Sequence, residues 1–175
     1  MRIIEFSGAC VKKCGIWPNV QSAFAIQYPR AEFVVVEAEN CTPFEVQRWH
    51  TLIQRCVERF DDGRGTIVVG HSLGGMLADA VGALFRSTPL LGIITIFTPR
   101  CYWGVPLAAW YGLPESTKAP AISFEASDDE IVFGETRHRR SISHTVLESD
   151  HMNRLIRNPN LSRQIAETAR KHFSP

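Results

Sequence analysis

The strongest constraint in this chain is an apolar run, Ile67-Val68-Val69, that stops at Gly70-His71-Ser72-Leu73-Gly74-Gly75 and gives way to the helical pattern Met76-Leu77-Ala78-Asp79-Ala80-Val81. A buried strand, a sharp turn and a helix, in that order, are the context a G-x-S-x-G serine requires. The turn must be tight to lift the hydroxyl clear of the backbone, so Gly70 and Gly74 on either side of it need to lack side chains. Ser72 is therefore the candidate nucleophile. An incidental serine in a glycine-rich turn is the competing explanation, and the strand and helix around it weigh against that.

A length of 175 residues suits one domain, and a domain of this size buries about 70% of the surface its unfolded chain exposes. Residues 1–175 read as a single domain. Hydrophobic residues make up 45% of the chain and the formal net charge is +1, a balance that offers neither a polyanion-binding surface nor a disordered acidic tail. No nucleic-acid partner is expected. The longest apolar runs, around Ile67 and from Leu90 to Phe97, are too short to cross a bilayer, and Met1-Arg2-Ile3-Ile4-Glu5 lacks the layout of a signal peptide. The expectation is a soluble, cytoplasmic protein without an integral membrane segment. The five cysteines, Cys10, Cys14, Cys41, Cys56 and Cys101, are odd in number and show no paired C-x-x-C spacing. Free thiols are expected over a disulfide framework or a zinc site, with a Cys10–Cys14 bridge as the alternative in an oxidising setting. No metal-ligand cluster or phosphate-binding glycine loop stands out, and no metal or cofactor is expected.

Taken in order, Arg2 to Ser7 reads as a strand ending in Ser7-Gly8, and Asn19 to Tyr28 as a short helix with Val20, Ala23, Phe24 and Ile26 as inward candidates. Phe33-Val34-Val35-Val36 has the continuous β-branched character of a strand buried on both faces of a parallel sheet. Thr42-Pro43-Phe44-Glu45 offers an N-cap, a first-turn proline and a capping-box glutamate. The helix it opens carries a stripe of Val46, Trp49, Ile53, Cys56, Val57 and Phe60. After the Ser72 helix, which ends at Thr88-Pro89, Leu90 to Phe97 reads as another buried strand. The stretch from Thr98 to Lys118 reads as an elaborated loop with one short helix. Ala121 to Glu125 and Ser141 to Glu148 are the last strands, and a helix over about Ser162 to Phe173 closes the chain. Alternation of strands and helices implies right-handed crossovers, hence a three-layer α/β sandwich on a mostly parallel sheet of about six strands. Functional residues then belong in the loops at the carboxyl ends of the strands.

A serine hydroxyl needs a base within hydrogen-bond reach, and the base needs an orienting carboxylate. Two carboxyl-end loops supply them: Ser127-Asp128-Asp129-Glu130 and Glu148-Ser149-Asp150-His151. The order serine, aspartate, histidine is that of the α/β-hydrolase arrangement.

Gly70-His71-Ser72-Leu73-Gly74-Gly75, the Thr98-Pro99 turn with Gly104 beyond it, Asp129-Glu130-Ile131-Val132, and His151 ahead of a closing helix together resemble the compact bacterial lipases and esterases of the α/β-hydrolase superfamily. The resemblance implies the α/β-hydrolase fold in a minimal form without a large lid. It also implies that the acid sits three residues before a valine, which selects Asp129 over Asp128, and that His71 supports the elbow without acting as the base. His144 falls inside the last strand and His138, in His138-Arg139-Arg140, reads as part of a solvated basic patch. His151 is left as the base. For the oxyanion, the expected donors are the backbone N–H of Leu73 and one just past Ser7-Gly8, at Ala9 with Cys10 as its neighbour. Most of the family it resembles has His-Gly at that turn, where this chain carries Ser-Gly. Cys10, Thr98, Tyr102 and Trp103 are candidate lining residues of an acyl pocket, with packing in the core the alternative for the aromatic ones.

Such a serine–histidine–aspartate set implies attack on an acyl carbonyl, with a small-molecule carboxylic ester as the leading substrate and an open crevice taking short or medium acyl groups. A thioesterase, amidase or perhydrolase would use the same residues, and a non-catalytic binding protein would keep the scaffold alone.

Overall fold

Six strands pair side by side, all parallel, in the computed structural model of the chain. The structure describes residues 1–8, 17–37, 45–102, 105–115, 119–132, 135–151, 154 and 157–173, without the side chains of Trp17, Tyr102 and Val105. In chain order the elements are β1 (Arg2–Phe6), α1 (Trp17–Gln27), β2 (Glu32–Val36), α2 (Val46–Phe60), β3 (Thr66–His71), α3 (Gly74–Leu84) and β4 (Leu90–Ile96). There follow a two-residue pair, β5 (Cys101–Tyr102) and β6 (Val105–Pro106), then α4 (Leu107–Trp110), β7 (Ala121–Ala126), β8 (Ser141–Leu147) and α5 (Pro159–His172). The strand order is β2-β1-β3-β4-β7-β8.

Alternation along each strand sorts side chains into two cores. Ile3, Ile67, Val69, Ile94, Ile96, Ile122 and Phe124 face α1 and α5, where Val20, Phe24, Ile165 and Ala169 close the layer. Ile4, Phe6, Val68 and Ile93 face α2 and α3, against Trp49, Ile53, Met76, Leu77 and Val81. The stripe read for α2 packs as expected at Trp49, Ile53, Cys56 and Phe60. Stacking of Trp49 on Tyr111, 5.8 Å between centroids and 4° from parallel, ties that helix to the turn after α4. Among the described residues, no helix is long and apolar enough to cross a membrane, and Cys56 and Cys101 are free thiols.

Several local expectations change. Phe33 to Val36 is only half-buried, because β2 is an edge strand that pairs with β1 alone. Continuous β-branched composition therefore marked strand propensity, not two-sided burial. Ile26 points to solvent. The last helix starts a turn earlier than the periodicity suggested, capped by Asn158, whose side chain accepts a hydrogen bond from Asn160 N–H at 3.0 Å. Thr42, Pro43 and Phe44 lie outside the described residues, and the described part of α2 begins at Val46. The crossover from β7 to β8 carries no helix among its described residues, and Ile142 and Val146 of the edge strand β8 stay more than half exposed, at 54% and 57%.

Candidate active site

The chain leaves β1 toward β2 on one side and leaves β3 toward β4 on the other, so the strand order reverses between β1 and β3. Loops diverging at such a switch point open a crevice at the carboxyl ends of the strands. Ser72 stands there, directly after β3, with a left-handed backbone at φ 54°. A residue with a side chain adopts that conformation at a cost of about 1–3 kcal/mol, which its surroundings must supply. They do so by close backbone packing: a Cβ on Gly70 would collide with Gly74, one on Gly74 with the carbonyls of Phe6 and Ser7, and one on Gly75 with the Thr98 side chain. Ser72 N–H donates to Ile96 O at 2.9 Å, and Gly75 N–H donates back to Ser72 O at 3.0 Å. The end of β1 comes in from the other side, where a Cβ at Gly8 would lie 3.1 Å from Ser72 Cβ and 3.6 Å from its Oγ. Leu73, at the head of α3, follows with φ −59° and ψ −23°; N–H groups in this first turn have no partner within their own helix.

Two loops from the far half of the sheet meet beside this elbow. The loops after β7 and β8 continue the strand pairing briefly: Ser127 N–H donates to Leu147 O at 2.9 Å and Asp128 N–H to Ser149 O at 3.0 Å. This brings Asp129 and His151 together, with His151 Nδ1 2.8 Å from Asp129 Oδ2 and both side chains at most 5% exposed. The other carboxylate oxygen, Asp129 Oδ1, accepts from Ile131 N–H at 2.9 Å and Val132 N–H at 2.7 Å. With one oxygen fixed by two backbone donors, the second is aimed at the ring, and a neutral His151 donates its Nδ1–H and keeps the Nε2 lone pair free of that bond. Asp128, the alternative acid, turns outward to an exposed pair with Arg154 at 3.0 Å.

The neighbours of His151 are rings. His71 packs at 4.9 Å between centroids and Phe97 at 6.2 Å, and His71 Nε2 lies 3.0 Å from the backbone oxygen of His151. Burial, with the nearby His151 ring adding to it, pushes the His71 imidazole down to about 3, so it stays neutral.

The other histidines are engaged elsewhere. His144 faces Glu125 at 3.1 Å. His138 corrects the sequence reading: it is no part of a solvated patch but buried, 3% exposed, with Nε2 3.0 Å from Asp79 Oδ2. Its Nδ1 accepts from Arg140 N–H at 3.0 Å, which puts the ring proton on Nε2 toward the carboxylate. Asp79 also accepts from Arg100 Nη1 at 2.8 Å, both side chains buried. This ion pair escaped the sequence reading although its signal was present: an aspartate inside Met76-Leu77-Ala78-Asp79-Ala80-Val81 calls for a buried hydrogen-bonding or charged partner.

Of the remaining expected site residues, Thr98 is fully buried, its Oγ1 3.4 Å from Ile96 O and its side chain seated on Gly75, a packing position under the elbow. Tyr102 contributes backbone to β5, while its side chain, like Ala9, Cys10, Trp103 and Gly104, lies outside the described residues.

No protein-family model matches the chain, and no curated protein matches it in sequence. Solved structures do match in shape. The esterase domain of a Rhodothermus marinus protein superposes with a TM-score of 0.65 at 16% identity, covering 99% of this chain and 88% of that one. A candidate hydrolase of the alpha/beta superfamily from Xanthomonas campestris pv. campestris gives 0.65 at 16% identity over 97% and 98% of the two chains. A methylesterase from Arabidopsis gives 0.64 at 14% identity over 98% of each. Six parallel strands, flanking helices and these neighbours together give the chain an α/β-hydrolase fold.

Proposed function

We propose that the protein is a serine hydrolase acting on carboxylic esters of small molecules, with Ser72 as nucleophile, His151 as base and Asp129 as the carboxylate that orients it. The observation that carries this reading is the 2.8 Å contact of His151 Nδ1 with Asp129 Oδ2, made on a loop that is itself hydrogen-bonded to His71, the residue before Ser72. Through His71, the loop of the base is tied to the strand end that leads into Ser72. Esterases among the structural neighbours favour an ester as substrate.

In this reading Ser72 Oγ attacks the acyl carbonyl carbon while its proton passes to His151 Nε2. The oxygen of the tetrahedral intermediate receives N–H groups from Leu73, at the head of α3, and from Ala9, just beyond Gly8. Collapse expels the alcohol, protonated by His151, and leaves an acyl group on Ser72. Water then enters with His151 again as base, releasing the acid. Asp129 stays ionised throughout and stabilises the imidazolium that forms twice per turnover. The acyl group in this reading is short or medium in length.

Hydrolysis of a p-nitrophenyl ester series tests the reading. The wild type is expected to cleave acetate and butyrate esters, and Ser72→Ala to lose this activity. An inactive wild type, or strong preference for long acyl chains, contradicts it in whole or in its substrate size.

A further inference from the structure

We propose that His71 is a positioning residue for His151, holding the backbone of the base against the elbow that carries the nucleophile. The proposal rests on the reading of Ser72 and His151 as nucleophile and base. His71 is fully enclosed between β3 and the His151 loop, touching the rings of Phe97 and His151. A hydrocarbon ring would fill that space without the cost of burying an imidazole, about 1–3 kcal/mol for a polar group that loses water.

What the imidazole adds is a single hydrogen bond. Its Nδ1 is buried and has no partner among the described residues, while Nε2 sits 3.0 Å from His151 O. A carbonyl oxygen only accepts, so the proton is on Nε2 and the ring is the neutral Nε2–H tautomer. That bond spans 80 residues of sequence and joins the residue before Ser72 to the main chain of the base itself. Without it, the spacing of the two would depend on a path through β3, β4, β7 and β8. Phe97, adjoining both rings, reinforces the seat. It is the other described residue with a side chain in the left-handed region, at φ 50°, and its N–H is held by Phe124 O at 2.8 Å.

The same geometry explains why this clamp is compatible with a cycle in which His151 becomes a cation. A second cation 4.9 Å away would oppose protonation of the base. His71 is kept neutral by burial, with the nearby His151 ring adding to it, so it holds the loop without adding charge.

Long-range proton–nitrogen NMR spectra of the ¹⁵N-labelled protein read the tautomer and charge of each ring without any substrate. His71 is expected to carry its proton on Nε2 and to stay neutral down to about pH 4. His151 is expected to show a far-downfield Nδ1 proton that weakens or shifts in His71→Phe and persists in His71→Gln, which retains an N–H donor. With p-nitrophenyl acetate, His71→Phe should lower kcat about 10- to 100-fold, as a displaced catalytic group does, and leave KM within about threefold. His71→Gln should recover most of that loss. If His71→Phe fails to fold, the wild-type tautomer and the Gln variant decide the matter. A proton on Nδ1 of His71, a folded His71→Phe with wild-type kcat and an unmoved His151 resonance, or a Gln variant as impaired as the Phe one overturns the assignment. A wild type with the expected spectra but no hydrolysis overturns the catalytic reading of Ser72 instead and leaves the His71 clamp standing as a structural one.

Discussion

Gly74 lies against the backbone carbonyl of Ser7, so the first turn of α3 touches the end of β1 with no side chain between them. The contact joins the elbow to the loop expected to supply the second oxyanion donor. Gly74→Ala should therefore destabilise the fold by about 1–3 kcal/mol or more, the range for overpacking where the obstacle is backbone. Urea denaturation measures this, and esterase activity should fall further than the loss of folded protein explains.

Asp129 uses its two oxygens differently, Oδ1 for Ile131 and Val132 N–H and Oδ2 for His151. In Asp129→Asn the amide oxygen must take the place facing the two N–H donors, which turns the amide NH₂ toward His151 Nδ1. The imidazole must then carry its proton on Nε2, where it cannot accept one from Ser72. Turnover at neutral pH is expected to drop about 10⁴-fold, the scale known for this substitution in a serine protease triad, with little change in the melting temperature.

Asp79 and Arg100 form a buried pair whose guanidinium leaves Nε and Nη2 without partners among the described residues. Removing one charge strands the other, so Asp79→Leu should cost about 3–5 kcal/mol in urea unfolding. The double variant Asp79→Leu, Arg100→Met should be more stable than Asp79→Leu alone, because no unpaired ion remains.

Glu5 is fully buried in β1, with Oε2 accepting from Gln21 Nε2 at 2.8 Å and Oε1 unpartnered among the described residues. Burial pushes its carboxyl up from 4.5 to about 8, against a small opposing effect of the Gln21 hydrogen bond. Between those pH values the folded state keeps a proton that the unfolded state has released. Stability should therefore fall as pH rises from about 4.5 to about 8, by up to about 1.4 kcal/mol per pH unit from this group, and level off above. Glu5→Gln should remove that slope, as urea midpoints measured across the window will register.

The layered architecture was legible because each central strand is an apolar run cut off by a turn signal, and the elbow because Gly70, Ser72 and Gly74 fall at a strand–helix junction. Asp129 and His151 were legible from position, and the structure brings those two side chains together. What escaped were features set by partners distant in sequence. His138 sits in a basic string that reads as solvated, yet its imidazole is claimed by Asp79 from another element. Phe33 to Val36 looks like a central strand because composition records propensity and not the number of neighbouring strands. The β5–β6 pair is two residues on each side, too short for any period to register.

Covalent labelling with a fluorophosphonate, followed by peptide mapping, reports on the nucleophile itself, because the reagent needs an activated serine and no knowledge of the natural ester. One adduct is expected, on Ser72, absent in Ser72→Ala and formed orders of magnitude more slowly in His151→Ala. An unlabelled wild type, or equal labelling of Ser72→Ala, would contradict it.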